Sequence, residues 1–225
     1  MDSEILRNVP LFSSLPDEKL EYISKILIPR KYTKDTLIVM ENDEGDSLFI
    51  IREGRVKVTR YSDEGGEVIL SILGDDDFFG EMSLLDGEAR SANVVALEDT
   101  SVFILTRPDL YNLLESKPTI AIAMLEELAT RIRRSDKYIK GLSLSDAETR
   151  VGMTLFNLSE QMGTIKNGEV TIEKVPYQQD IANMSGTTRE TVSRMLKLLE
   201  DKHIIEKEGR RITIKDYSQF VKKFG

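Results

Sequence analysis

Hydrophobic residues along the chain follow successive patterns, and each pattern predicts a different kind of structure. Residues 4–27 carry apolar side chains at helical spacing. Pro10 and a helix start signal at 13–17 interrupt this spacing, so the pattern predicts short N-terminal helices. From Tyr32 to Leu105 the chain changes to short runs rich in Val, Ile, Leu and Phe, separated by turn signals. The runs are TLIVM, SLFIIR, RVKVTR, EVILSIL, ANVVAL and SVFIL. Many short strands at this spacing predict a sandwich or a barrel.

Helical spacing returns after Arg107-Pro108 and persists to about Leu144. Within this segment, alternating steps of four and three residues form a heptad seam, made of Ala121, Leu125, Leu128, Ile132, Ser135, Ile139 and Leu142. Such a seam favours a partner helix and therefore a homodimer, whereas a single amphipathic helix lying on its own barrel is the alternative. The polar Ser135 in the seam would fix the register or contact another molecule.

A second domain is predicted after the segment 143–146, which reads as a hinge followed by a helix N-cap. An amphipathic helix at 147–162 comes first, then a polar loop at 163–168 and the strand EVTIEKV. Two compact helices around Gly186 and two brief strands around 208–209 complete the pattern.

Composition bounds the class of protein. The 225 residues allow one large domain or two small ones, and 40% hydrophobic with 31% charged residues is typical of a soluble globular protein. No apolar run approaches the roughly 18 residues that a membrane span needs. The N-terminus also lacks a basic region followed by an apolar one. We therefore expect a cytoplasmic protein with no membrane partner.

The scarcity of reactive side chains argues against catalysis. The absence of cysteine excludes disulfides, thiolate zinc sites and cysteine-ligated clusters, and the single histidine, His203, cannot build a histidine-rich metal site. We interpret His203 as a helix-end or turn residue. Since no nucleophile–base pair with cysteine is possible and no Walker-type loop is present, we expect neither an enzyme nor a metal site.

The net charge of −8 is unevenly distributed. Residues 1–140 carry 18 basic and 27 acidic side chains, which gives −9, while residues 141–225 carry 13 and 12, which gives +1. Within the second part, residues 174–215 hold 9 basic and 6 acidic side chains, a local excess of +3. The two parts of the chain are therefore expected to face different partners.

The segment around Gly186 carries a pattern that favours DNA binding. Two helices joined by a short glycine turn form a helix-turn-helix unit. Apolar residues on one face of the second helix can pack into the domain: Val192, Met195, Leu196 and Leu199. Polar residues lie mostly on the other face: Arg189, Glu190, Ser193, Arg194 and Lys197. A solvated charged helix face is the alternative, but the turn, the apolar face and the following hairpin occur together.

The polar side chains on this helix suit the major groove. Arginine donates in bidentate fashion to guanine, glutamate accepts from cytosine, and the first residues of a recognition helix reach the base edges. Other side chains would bind phosphate oxygens. These are Gln178, Thr188, Lys197 and, on the following hairpin, Arg210 and Arg211.

Nearly end to end, the chain resembles the family of the cyclic-AMP receptor protein and its fumarate–nitrate regulator relatives. The resemblance is carried by GDSLFIIREGRVKVTR, FGEMSLLDGEARSANVVA, the long helix and GTTRETVSRMLKLLEDKHII. It implies an α+β fold with an N-terminal cyclic-nucleotide-binding β-barrel (jelly roll), a long dimerisation helix and a C-terminal winged helix-turn-helix domain. We accordingly expect an effector domain at 1–117, the dimerisation helix and hinge at 118–144, and the DNA-binding domain at 145–225.

The resemblance also implies a ligand site in the segment FGEMSLLDGEARSAN. The residues carried over to a cyclic nucleotide are Gly80, Glu81, Arg90 and Ser91, with Met82, Ser83 and Ala92 adjoining them. The chemistry agrees, because an arginine fork pairs with the charge of a cyclic phosphate, while a serine hydroxyl and backbone amides complete the contact. Glu81 would accept from the ribose 2′-hydroxyl, and 82–85 would form a short helix. The alternative is that Arg90 is an ordinary surface charge.

The long helix departs from the family pattern at the base-binding positions. Cyclic-AMP receptors offer a threonine and then a serine to the purine, whereas the aligned positions here are Ser135 and Asp136. An ionised aspartate only accepts hydrogen bonds, so Asp136 suits the adenine amino group and equally the N–H groups of guanine. Cyclic AMP is the expected effector ahead of cyclic GMP, and the alternative is that the pair is a solvated helix segment.

The resemblance implies a ligand-responsive transcriptional regulator that binds double-stranded DNA as a homodimer and works with RNA polymerase. Ligand binding would shift the population toward a spacing of the recognition helices that fits a palindrome with TGTGA-like half-sites. Two other functions remain open at this point. One is a regulator of the same family with another effector or none, and the other is a cyclic-nucleotide-binding regulatory module that never contacts DNA.

Overall fold

The computed structural model describes residues 6–225, and the chain divides into two compact units, unit 1 up to Arg133 and unit 2 over Arg134–Gly225. The start of the predicted helical segment 4–27, and of the predicted effector domain, lies outside the described residues. Among the described part of that segment, Leu6 and Arg7 lie in a 3₁₀ turn and the second predicted helix is α1, Asp17–Ile26. Its buried residues are Leu20 and Ile23.

Unit 1 contains two antiparallel sheets of four strands each within its described residues. One sheet has the order β1-β8-β3-β6, with β1 Ile28–Tyr32, β8 Thr100–Thr106, β3 Ser47–Glu53 and β6 Phe78–Phe79. The other has the order β2-β7-β4-β5, with β2 Leu37–Val39, β7 Asn93–Ala96, β4 Val56–Tyr61 and β5 Glu67–Leu73. The predicted strand runs are confirmed, and the sequence did not predict β1 or β6.

Two apolar clusters hold unit 1 together. The first lies between the two sheets and is built from buried side chains of both: Val39, Phe49, Ile51, Val56, Leu73, Phe79, Val94 and Val102. The second joins the opposite face of β3 to the N-terminal segment, to α3 (Arg107–Ser116) and to the start of α4 (Pro118–Leu144). Because successive side chains of a strand point to opposite faces, Phe49 and Ile51 serve the first cluster while Leu48 and Ile50 serve the second.

The long helical segment is divided into two helices. Thr106 caps α3 by accepting from the Asp109 backbone amide, and Pro108 occupies its first turn. Helix α3 ends before Lys117, because the following Pro118 cannot donate to a preceding turn and instead begins α4. Helix α4 has 27 residues and includes the residues at which the two units meet in the sequence, 133 and 134.

Unit 2 contains the predicted helices and a small antiparallel sheet. Its helices are α5 Ala147–Met162, α6 Gln178–Ser185, α7 Arg189–Asp201 and α8 Tyr217–Phe224. Its sheet has the order β11-β12-β10-β9, with β11 Ile205–Glu208, β12 Arg211–Ile214, β10 Glu169–Ile172 and β9 Thr164–Lys166. The prediction of a polar loop over 163–168 was wrong in part, because β9 lies there and pairs with β10.

Helix α8 was not predicted, although its packing fixes one face of unit 2. Phe220 and Phe224 are buried, and Phe224 lies directly over Gly152 of α5. A Cβ at Gly152 would come within 2.3 Å of the Phe224 ring. The Phe224 ring therefore fits against α5 only because residue 152 has no side chain.

Candidate effector site and nucleic-acid interface

Arg90 is buried inside unit 1, with only 7% of the residue exposed. Its two terminal nitrogens donate to the backbone oxygens of Gly80 (2.8 Å) and Ser47 (2.9 Å), and its guanidinium lies 5.7 Å from the centre of the Phe49 ring. Its backbone is fixed as well, because its amide donates to Asp43 and its carbonyl accepts from Asn42. The alternative of an ordinary surface charge does not describe this side chain.

Two glycines leave the space that the Arg90 guanidinium fills. A Cβ at Gly45 would lie 2.6 Å from Nε and 2.7 Å from Cζ of Arg90, and a Cβ at Gly80 would lie 2.6 Å from its Nη1. Gly80 also has a φ of 84°, in the left-handed region that glycine adopts without strain, and it directly precedes α2 (Glu81–Asp86). The chain thus reverses direction at Gly80 and encloses the arginine between two backbone segments.

The positive charge of Arg90 lies in surroundings that disfavour it. Burial lowers the pKa of its guanidinium from the ordinary value, while the negative charges of Asp46 and Glu81 raise it and Arg107 lowers it further. Within residues 6–225, no carboxylate forms an ion pair with Arg90. A buried cation without an opposite charge in contact is costly, so an anion at this position would be stabilised.

Glu81 is also buried, at 4% exposure, but it has a cationic partner that the sequence did not point to. Arg131 of α4 donates to the Glu81 carboxylate at 3.1 Å and to the Phe78 backbone oxygen at 2.7 Å. Its guanidinium lies 4.5 Å from the centre of the Phe78 ring and also contacts Glu127, one helical turn earlier. Arg131 therefore fixes the end of β6 and the start of α2 against α4.

The remaining predicted ligand residues of unit 1 lie around α2, which confirms the short helix predicted at 82–85. Ser83 and Ala92 are buried, whereas Met82 and Ser91 are exposed, and the Ser91 hydroxyl lies 3.5 Å from the Met82 sulfur. Ser91 follows Arg90 directly in the chain, and its hydroxyl lies on the exposed side beside Met82.

A second arginine positions this segment. Arg107 donates through one nitrogen to the backbone oxygens of Ser83 (2.7 Å) and Gly45 (2.9 Å). It thereby ties α2 to the loop that contacts the Arg90 guanidinium. From the sequence, Arg107 was predicted only to mark the start of a helix. Its two acceptors are backbone atoms, which the side-chain pattern does not indicate.

The predicted base-contacting residues of α4, Ser135 and Asp136, belong to unit 2 and are both exposed. Part of the heptad seam of α4 is exposed as well, although Ala121 and Leu128 are half-buried and Leu128 packs against the core of unit 1. Leu125, Ile132 and Ile139 keep between 60% and 64% of their surface accessible, and Leu142 keeps 42%. Among residues 6–225, these four apolar side chains of a 27-residue helix stay largely accessible.

The helix-turn-helix unit is formed as the sequence predicts. Helix α6 ends at Gly186, whose φ of 59° closes the turn in the left-handed conformation, and α7 follows. Thr188 caps α7 through its side chain, which accepts from the Thr191 amide. The apolar face of α7 is buried: Val192, Met195, Leu196 and Leu199. This burial leaves the polar face of α7 turned away from the domain.

The predicted base-reading side chains Arg189, Glu190, Ser193 and Arg194 lie on that exposed face, together with Lys197, which is predicted to bind phosphate. A hydrogen bond from its own backbone amide, with a second from the Thr188 hydroxyl, lowers the pKa of Glu190. Arg194 differs from its neighbours because its Nε contacts Glu148 of α5 at 3.1 Å. No local pattern predicts this pair, whose members are 46 positions apart.

The predicted phosphate-binding residues lie at the edges of the same unit. Gln178 begins α6 and is half-buried. Arg210, in the β11–β12 turn, donates to the Val175 backbone oxygen at 2.9 Å and lies 4.5 Å from the centre of the Tyr177 ring. Tyr177, half exposed and next to Gln178, is a further residue at this edge that the sequence analysis did not single out.

One arginine joins the start of α5 to the helix-turn-helix turn. Arg150 donates to the backbone oxygens of Ser185 (2.8 Å), Gly186 (2.9 Å) and Ser145 (2.9 Å). Ser185 and Gly186 end α6, and Ser145 follows the end of α4. A cation at the carbonyl ends of two helices is stabilised by their dipoles. Arg150 therefore fixes the end of α4 relative to the end of α6.

Known proteins share both halves of this architecture. Residues 29–117 match the family described as Cyclic nucleotide-binding domain, and residues 149–222 match the Crp-like helix-turn-helix domain. The Cyclic AMP receptor protein of Thermus thermophilus is 32% identical over 200 residues, which cover 89% of both chains. The chain belongs to the CRP/FNR family of transcriptional regulators.

Two further relatives of this CRP/FNR protein extend the comparison. A CRP-like cAMP-activated global transcriptional regulator of Mycobacterium tuberculosis is 28% identical over 220 residues, covering 98% of each chain. The structure of FixK2 from Bradyrhizobium japonicum aligns with a TM-score of 0.80 over 89% of this chain and 98% of that one. At 22% identity, the FixK2 likeness shows the fold alone.

These findings confirm the predicted family, the α+β fold and its cyclic-nucleotide-binding and helix-turn-helix parts. The family consists of transcriptional regulators and not of enzymes. In the stretch from residue 6 to residue 225, no helix is long and apolar enough to cross a membrane. Over the same residues, no group of three histidine, aspartate or glutamate side chains is arranged to hold a metal ion.

Proposed function

We propose that this CRP/FNR protein is activated by a cyclic nucleotide that binds unit 1 through Arg90, and that cyclic AMP is preferred over cyclic GMP. The observation that carries the proposal is the buried guanidinium, which has no carboxylate in contact with it within the described residues. Within residues 6–225, two of its five N–H donors are given to protein oxygens in hydrogen bonds, so donors remain for the phosphate of a ligand. Charge-assisted, forked hydrogen bonds of this kind favour a phosphate strongly.

The neighbouring residues supply the rest of the ligand contact. Ser91 would donate its hydroxyl to the phosphate and Ala92 its backbone amide, while Ser83 and Met82 line the approach along α2. Glu81 would accept from the ribose 2′-hydroxyl, with Arg131 holding its carboxylate in place. Gly80 leaves room for the Arg90 guanidinium, because a Cβ there would lie 2.6 Å from Nη1.

The purine would be read by Ser135 and Asp136 of α4. An ionised Asp136 accepts from the adenine amino group, and it also suits the N–H donors of guanine, so cyclic GMP is the second ligand to test. Each part of the chain would have one role. The effector domain at 1–117 would bind the nucleotide, the dimerisation helix at 118–144 would pair two chains, and the domain at 145–225 would bind DNA.

The exposed part of the heptad seam of α4 supports a homodimer that binds double-stranded DNA. Two recognition helices in one dimer fit a palindrome, and the resemblance of Arg189, Glu190 and Arg194 to the family pattern implies TGTGA-like half-sites. Gln178, Thr188, Lys197 and Arg210 would bind the phosphates, and Ser193 would lie at the base edges. Ligand binding would favour the dimer geometry that matches the DNA. RNA polymerase is the expected further partner, the protein acts in the cytoplasm, and it is not an enzyme.

Calorimetric titration with cyclic AMP and cyclic GMP tests the effector assignment. We expect Arg90→Ala to abolish measurable binding and Arg90→Lys, which keeps the charge but loses the fork, to weaken it strongly. Arg52→Ala is the matched control, since Arg52 is an exposed arginine of β3. Thermal unfolding of each variant separates loss of binding from loss of the fold.

A mobility-shift assay on a palindromic TGTGA-type duplex, with and without cyclic nucleotide, tests the whole function. Binding that depends on the nucleotide supports the proposal. Binding without dependence indicates a regulator with another effector or none. Nucleotide binding without any DNA binding indicates a regulatory module that does not act on DNA, and absence of both overturns the proposed function.

A further inference from the structure

Arg194 lies in the second turn of α7, and its guanidinium is held at one end only. Its Nε donates to the Glu148 carboxylate at 3.1 Å, while the Arg194 side chain is 66% exposed and the Glu148 side chain 43%. In the part of the chain that the structure describes, Glu148 is its one hydrogen-bonding partner. The two terminal nitrogens of Arg194 therefore remain available to another molecule.

The carboxylate that holds Arg194 is itself on a fixed element. Glu148 lies in the first turn of α5, where the Asp146 side chain caps the helix by accepting from the Thr149 amide at 2.7 Å. Two residues beyond Glu148, Arg150 ties the same turn to the end of α6 at 2.8 and 2.9 Å. The backbone of Glu148 thus has a set position relative to the helix-turn-helix unit, and its side chain reaches Arg194 from there.

The geometry of a guanidinium gives this contact a consequence for DNA reading. Its five donors lie in one plane, so a carboxylate on the Nε side leaves the edge formed by the two terminal nitrogens to face outward. That outward edge has the fork geometry that binds guanine O6 and N7 together. An arginine already held in position also loses less side-chain freedom on binding than a mobile one.

We propose that Glu148 is a positioning residue for Arg194, which it orients so that the free edge of the guanidinium reads one base pair of the half-site. The inference rests on the proposed DNA-binding function and adds a determinant of specificity that lies outside the recognition helix. The carboxylate does not itself contact a base; it acts through the arginine.

A simple charge effect makes the opposite prediction. A carboxylate near DNA repels every phosphate, so its removal would raise affinity for all sequences by the same factor. Loss of positioning instead lowers the preference for one base pair over its alternatives, whatever happens to the overall affinity. The measured quantity is therefore the ratio of affinities between the preferred duplex and duplexes with one substituted base pair.

Fluorescence anisotropy of the full chain, with saturating cyclic AMP and a labelled palindromic duplex, measures these ratios at each position of the half-site. The variants are Glu148→Gln, Arg194→Ala and the double substitution. We expect Glu148→Gln to lower discrimination at one base pair by about three- to tenfold, and Arg194→Ala to lower it at the same base pair. The double substitution should lose no more than Arg194→Ala alone.

Glu173→Gln is the matched control, because Glu173 forms a comparable exposed pair with Arg211 at 3.5 Å in the same unit. It removes the same charge and should change affinity for all duplexes alike. Thermal unfolding should show Glu148→Gln folded as the wild type is.

The outcomes are distinct. Unchanged ratios for Glu148→Gln, or the same factor on every duplex, overturn the positioning role while the wild type still reads its site. A wild type that prefers no base pair overturns DNA reading, and the positioning role with it.

Discussion

Gly45 offers a test of the effector site in which the perturbation is a single methyl group. Its Cβ would lie 2.6 Å from Nε and 2.7 Å from Cζ of Arg90, and 2.7 Å from Cβ of Ser83. Ordinary contacts begin at 3.4 Å, so the closest pair is too near by 0.8 Å. Gly45 does not have a positive φ, so Gly45→Ala adds bulk without backbone strain.

The expected magnitude follows from what must move. Overpacking of a buried site costs about 1–3 kcal/mol in the free energy of unfolding. Displacing the Arg90 guanidinium also disturbs its hydrogen bonds to Gly80 and Ser47, and hydrogen bonds of a charged group contribute about 1.5–3 kcal/mol each. If one such bond to the ligand phosphate is lost, cyclic AMP binds roughly 10- to 100-fold more weakly.

Calorimetric titration and thermal unfolding of the same preparations measure both effects. Gly74→Ala is the matched control in unit 1, because its Cβ would lie 3.7 Å from Arg55 and in contact with nothing closer. It should bind cyclic AMP and melt as the wild type does. If Gly45→Ala also binds with wild-type affinity while Arg90→Ala does not bind, close packing around Arg90 does not determine nucleotide affinity.

Three further substitutions test other contacts. Arg131→Ala should lower the free energy of unfolding by about 3–5 kcal/mol in denaturant titration, because it leaves the buried Glu81 carboxylate unpaired; a change under 1 kcal/mol would contradict this. Ile132→Asp should convert a dimer into a folded 25.6 kDa monomer in sedimentation experiments, and a persistent dimer would place the interface elsewhere. Gly152→Ala should cost about 1–3 kcal/mol in the unfolding of unit 2, since Phe224 must move, and an unchanged melting curve would argue against that packing.

Local signals in the sequence predicted most strands and helices but not β1, β6, β9 or α8, and the fold followed from the family resemblance. The burial of Arg90 follows from its place between two strand runs in a segment with a family motif, and the helix-turn-helix unit follows from Gly186 and the apolar face of α7. Strand β1, with the sequence IPRKY, has no apolar alternation of its own and forms because it pairs with β8. Its existence could not be predicted from its own residues.

The contacts that position the site could not be predicted from the sequence either, because they join residues far apart in the chain. Arg131 pairs with Glu127 one turn away, as an ordinary surface helix pair would, and nothing local indicates that it also reaches Glu81, 50 positions earlier. Glu148 reads as an acidic residue in the first turn of a helix, which its dipole alone would explain. The partners of both side chains are set by the tertiary structure.

The three carbonyl contacts of Arg150 have a consequence for how unit 2 opens. The Arg150 side chain binds the end of α6 and also the residue after α4. Unfolding of either segment therefore breaks hydrogen bonds of Arg150 that also hold the other segment. Amide hydrogen exchange at 141–150 and at 181–187 should therefore follow a common opening reaction. Replacing Arg150 with lysine, which cannot span three acceptors in one plane, should let the two segments exchange at independent rates.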